Sequence, residues 1–66
     1  MQLVINGTTR TLEHSRTAEQ LLAELGLDPR AVVVEHNRVI VRRPLLASTP
    51  LAEGDVVEIV HFVGGG

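Results

Sequence analysis

Gly54-Asp55-Val56-Val57-Glu58-Ile59-Val60-His61-Phe62-Val63-Gly64-Gly65-Gly66 is the stretch on which the reading of this chain turns. Gly54 allows a tight bend, and Asp55 beside it is suited to bonding backbone donors. Val56 to Val63 then alternates two sets of residues with the period of a strand. Val57 and Ile59 belong to one set, and Val56, Val60 and Phe62 to the other. Only one set can meet a core. Assigning Val57 and Ile59 to it leaves Val60 and Phe62 on the opposite, open face. The strand runs into three glycines with no linker between, so the group carried forward is a carboxylate and not a side chain.

Working outward, Met1-Gln2-Leu3-Val4-Ile5-Asn6 alternates Met1, Leu3 and Ile5 against Gln2, Val4 and Asn6, a first strand with one buried face. Asn6-Gly7 supplies the two positive-φ residues of a type I′ turn, and Thr8 to Leu12 returns antiparallel. Thr17 with Gln20 three residues later forms a capping box and starts a helix. Ala18, Leu21, Leu22 and Leu25 make its apolar stripe. Gly26 takes the left-handed position after it, with Leu27 folding back and Asp28-Pro29 blocking continuation. Ala31 to Glu35 is a β-branched, mostly buried central strand ended by the turn at His36-Asn37, and Val39 to Val41 is a shorter one. Leu45 to Thr49 is an irregular or one-turn segment that tucks Leu45 or Leu46 under the sheet, and residues 50–55 form a turn.

The order hairpin, helix, strand, short strand, strand predicts an α+β fold of the β-grasp type. It has a mixed sheet of four to five strands with one main helix on one face. In this reading the helix crosses to a strand parallel to the first, and the last strand lies between them.

At 66 residues the chain is read as one domain, residues 1–66, near the lower size limit for a core without staples. Its composition is 44% hydrophobic with Phe62 the one aromatic, so the core must be aliphatic. A chain this small rarely has walls for a concave active site as well, which argues against an enzyme. Cysteine is absent, which removes disulfides, thiolate metal sites and any thiol nucleophile. Six dispersed arginines against a net charge of −2, with no interleaved aromatics, exclude a nucleic-acid footprint. No apolar run reaches the ~20 residues of a membrane span, and no charged leader precedes the first strand. A cytoplasmic protein, monomeric when free, is expected. Lysine is also absent, so no side chain could accept an isopeptide bond from the chain's own terminus.

The tail has a chemistry of its own. A carboxylate repels nucleophiles and has no leaving group, so activation must come from outside. Adenylation by ATP in a partner enzyme would turn the Gly66 carboxylate into a mixed anhydride, and a sulfur donor displacing AMP would leave a thiocarboxylate. No cofactor bound by the chain itself is expected. Glycine suits the task because no Cβ crowds the carbonyl and the bare backbone can thread a narrow channel. Gly64, Gly65 and Gly66 can reach ~10 Å as a flexible tail.

Over essentially its whole length the chain resembles the sulfur carriers of thiamine thiazole biosynthesis, a ubiquitin-like family. The resemblance is carried by Asn6-Gly7, by Thr17-Ala18-Glu19-Gln20-Leu21-Leu22, by Val33-Val34-Glu35-His36-Asn37 and above all by Leu51 through Gly66. It implies that Gly66 is adenylated by a ubiquitin-activating-like adenylyltransferase and converted to the thiocarboxylate. A sulfur donor such as a cysteine desulfurase system would supply the sulfur, and thiazole synthase would receive the carrier. Gly65 matches the family's penultimate glycine. The chain departs from the family at Ile40-Val41-Arg42-Arg43, where Ile-Val-Pro-Arg is usual and the proline comes later, at Pro44.

Val60, Phe62 and Val63, beside the tail, are the expected partner-binding residues, since exposed apolar side chains mark docking patches. His14, His36 and His61 lack metal-ligand spacing and are read as surface or strand-end residues, so no metal is expected. Arg38, Arg42 and Arg43 are read as a solvated loop. Other outcomes of the same tail chemistry stay open: a sulfur carrier for molybdopterin, cysteine or tRNA thiolation, a ubiquitin-like modifier conjugated through Gly66, or an interaction domain with an inert tail.

Overall fold

The computed structural model describes residues 1–62. Strand β1 (Gln2–Ile5) turns back into β2 (Thr8–Thr11) through Asn6 and Gly7, both at positive φ (50° and 81°), as a type I′ hairpin requires. Helix α1 (Ala18–Glu24) follows. Its N-cap Thr17 accepts from the Gln20 N–H at 3.2 Å, as the capping pattern predicts. The reciprocal bond lands one residue earlier, with the Gln20 side chain accepting from the Arg16 N–H at 2.8 Å. At the other end Leu27 N–H reaches the Leu22 carbonyl and Gly26 N–H the Ala23 carbonyl, with Gly26 at φ 73°, the paired bonds of a Schellman motif.

A 3-10 turn over Pro29–Ala31, capped by Asp28, is an element the sequence reading leaves out. It precedes β3 (Val32–His36), which hairpins into β4 (Val39–Val41). Arg43–Ser48 is a second 3-10 segment that buries Leu46 and leaves Leu45 in solvent, resolving which leucine tucks under the sheet. Strand β5 (Val56–His61) closes the described fold.

The five strands lie in the order β2-β1-β5-β3-β4, the β-grasp arrangement. One part of the expectation is corrected. The strand parallel to β1 is β5, paired through Val4 with Val56 and Ile5 with Val57, whereas β3 runs antiparallel to β5 and hence to β1. Alternation along one strand fixes its faces but carries no information on its direction relative to a strand far along the chain.

The core lies between α1 and one face of the sheet. Ala18, Leu21 and Leu22 pack with Leu3, Ile5, Val32, Val34, Val57 and Ile59, and Leu12, Leu46 and Leu51 close its margins. Val57, central in the sheet, is wholly buried. It anchors the strand that leads to the tail.

Candidate functional site

Residues Val63, Gly64, Gly65 and Gly66, on which the predicted chemistry falls, lie outside the described residues. The structure does describe the strand that leads to them and the surface beside it. Along β5, Val57 and Ile59 are buried while Val60 (60% exposed) and Phe62 (43%) face outward, as the alternation predicts. Phe62 is still tied to the sheet, its N–H donating to the Ala31 carbonyl at 3.2 Å.

Register then adds residues that no local pattern could place there. Antiparallel partners share a face, and Val60 is opposite Val33, Glu58 opposite Glu35, and Glu35 in turn opposite Ile40. On the β1 side Val56 lies beside Val4. The open face therefore groups the exposed Val33, Ile40, Val56 and Val60 around Glu35 and Glu58, with Phe62 at the end where the chain leaves. The alternation along β5 already places Val56, Val60 and Phe62 on this face, whereas Val33 and Ile40 were missed. The only signal for them was a cross-strand register.

His36 is opposite the buried Val57, on the core side of the sheet, and its imidazole meets the Asp55 carboxylate at 2.6 Å, while the same Asp55 oxygen accepts from the Ala52 N–H at 2.9 Å. Both side chains are mostly buried. Burial pushes the Asp55 carboxyl up, but the hydrogen bonds from His36 and Ala52 outweigh it and hold the group below its usual value. His36 ends β3, as expected, and is also the partner of the turn before β5. Asp55 does bond a backbone donor, as expected, and the imidazole as well. Asn37 completes the link, donating its N–H to the Val56 carbonyl and accepting from the Val56 N–H.

A shallow depression at the far end of α1 is lined by His14, Ser15, Gln20, Ala23 and Glu24. The Glu24 carboxylate there serves the fold. Ser15, buried, donates to it at 2.5 Å and the Glu13 N–H at 3.3 Å, and the hydroxyl holds the carboxyl below its usual range. Among the described residues no group of His, Asp and Glu could hold a metal ion. Arg38, Arg42 and Arg43 are exposed.

Residues 3–66 match the ThiS family. The chain belongs to that family. Among curated proteins it is 44% identical over 50 residues to the sulfur carrier protein ThiS of Bacillus subtilis, covering 76% of each chain. It is 50% identical over all 66 residues to a thiazole synthase of Paramagnetospirillum magneticum. The chain spans only about a fifth of the length of that protein and of a second thiazole synthase, from Magnetococcus marinus. Among solved structures, the crystal structure of the thiamine biosynthesis protein ThiS from Geobacter metallireducens superposes with a TM-score of 0.84 at 32% identity, each chain covered in full. The ThiS-family match runs through the three glycines, and the fold of this chain is shared with a ThiS structure over its entire length. No helix among the described residues is long and apolar enough to cross a membrane.

Proposed function

We propose that the chain is a sulfur carrier of thiamine biosynthesis whose working group is the carboxylate of Gly66. The family match extending through residue 66 is the observation that carries this reading. In the reaction sequence a Gly66 carboxylate oxygen attacks the α-phosphorus of ATP in a partner adenylyltransferase and pyrophosphate leaves. A sulfur nucleophile then attacks the carbonyl carbon of the acyl adenylate and AMP leaves. With hydrosulfide as donor the product is the thiocarboxylate at once. With a persulfide, a thiol must afterwards cleave the S–S bond, releasing the donor as a disulfide. The sulfur is finally passed to a thiazole synthase for ring formation. Catalysis belongs to the partners, ATP is bound by the adenylyltransferase, and this chain is their substrate.

Three features of the molecule support the scheme. Gly64, Gly65 and Gly66 present no Cβ to a narrow channel. Val60 and Phe62, with Val63 continuing toward the tail, offer an apolar grip beside the point of exit. The partnership with thiazole synthase rests on two proteins of that name that contain a segment aligned with all 66 residues. The test is intact-mass measurement after incubation with the adenylyltransferase, ATP and a sulfur donor. The expected product is heavier by the replacement of one oxygen with sulfur, and removal of Gly66 should abolish the gain. An unchanged mass would overturn the carrier reading. Attachment to lysines of other proteins would favour the modifier alternative, and loss of molybdenum-enzyme activity without thiamine auxotrophy in a deletion strain would favour the molybdopterin one.

A further inference from the structure

Strand β1 ends at Ile5, yet β5 runs on beyond the residue opposite it. The carbonyls of Asp55 and Val57 point toward β1, accepting from the N–H groups of Val4 at 2.9 Å and Asn6 at 3.0 Å. With the strand period of two, the next peptide groups of β5 on that side are those of Ile59. The backbone of β1 cannot reach them, because at Asn6 and Gly7 it turns into β2. The Asn6 side chain stands in for the missing strand residue. Its Oδ1 accepts from the Ile59 N–H at 2.7 Å and its Nδ2 donates to the Ile59 carbonyl at 3.1 Å. A primary amide carries both the donor and the acceptor of a peptide group, so it extends the ladder by one rung without any backbone. On its other side β5 is held to β3, and Phe62 to Ala31.

We propose that Asn6 is a positioning residue for the tail. It clamps β5 on the side where β1 has ended, and so sets the direction in which the Gly66 carboxylate enters the active site of the adenylylating partner. The proposal rests on the carrier reading. Glycines give a partner no side chain to steer by, so the partner must take its bearing from the described end of β5, whose last residue held on both sides is Ile59. At a reacting centre a 1 Å misplacement can cost about a hundredfold in rate, so the direction in which β5 is presented to the partner bears on adenylylation. The docking face and the clamp have separable effects: the face sets how tightly the body is held, the clamp what fraction of bound carriers has its carboxylate in place.

The test compares Asn6→Gly, Asn6→Asp and the unaltered chain. Gly and Asp both tolerate the positive φ of the turn. Gly removes both bonds to Ile59, while Asp keeps an acceptor for its N–H. Thr17→Ala, a helix-cap loss of similar thermodynamic size but remote from β5, serves as the stability control. For Asn6→Gly, amide exchange at Ile59 should quicken by about tenfold. ATP–pyrophosphate exchange with the adenylyltransferase should show kcat lowered by about tenfold with the KM for the carrier unchanged. Asn6→Asp should fall between Asn6→Gly and the unaltered chain, and Thr17→Ala should leave kcat as it was. Unchanged kcat for Asn6→Gly, or an equal fall for Thr17→Ala, would overturn the proposal alone. No exchange with the unaltered chain would overturn the carrier reading and this proposal with it.

Discussion

At the scale of the residue, two side chains have surroundings that spacing along the chain does not reveal. Arg38 sits at φ 71° in the β3–β4 turn, next to Asn37 at φ 49°. Asparagine tolerates this left-handed region, but arginine is held there at a cost of roughly 1–2 kcal/mol. Arg38→Gly should relieve that strain. Part of the gain is offset by the freer unfolded chain, leaving a net stabilisation of about 0.5–1 kcal/mol in urea unfolding. Asp55 is the second case, since its histidine partner is 19 residues away. A carboxyl lowered in the folded state contributes stability that is present above its ordinary value of 3.8 and is lost as pH falls through the lower folded value. Urea midpoints of the unaltered chain should therefore decline on acidification from about pH 5 downward. Asp55→Asn should be less stable near neutrality, by about 1–2 kcal/mol, and show a shallower decline.

At the scale of the element, α1 and the first hairpin follow from their sequences almost residue for residue, because their signals are local. A cap acts over three residues, a Schellman motif over six, and a type I′ turn over two. Strand β5 is different. Its faces were legible from alternation, but the rung formed by Glu35 and Glu58 appears only once β3 and β5 are registered. Like charges directly opposite each other in a sheet are destabilising. Glu58→Lys should raise stability by about 0.5 kcal/mol in thermal or urea unfolding, with the β3–β5 register preserved. A loss of stability would mean that Glu58 is favourably placed where it stands. An acidic pair kept within an otherwise apolar open face is consistent with that face serving docking and not folding.

At the scale of the whole molecule, one face of the sheet folds the protein and the other is left exposed, with β5 belonging to both. Phe62→Glu should leave the unfolding midpoint near that of the unaltered chain, since Phe62 is 43% exposed, while raising the carrier's KM for adenylation about tenfold or more. Loss of folding instead would place Phe62 in the core. The sequence by itself determined the helix and its caps, the first hairpin, the presence of the five strands, and the buried faces of the first and last. Each depends on interactions a few residues apart. Only the tertiary structure decided that β5 is the strand parallel to β1, that Val33 and Ile40 share a face with Val60, that His36 meets Asp55, and that Asn6 reaches Ile59 across 53 positions. These pairings were hidden because side-chain alternation repeats every two residues along any strand and is silent about which strands lie side by side. Burying a single face of five strands under one helix selects their order, and with it the surface left open and the clamp beside the tail.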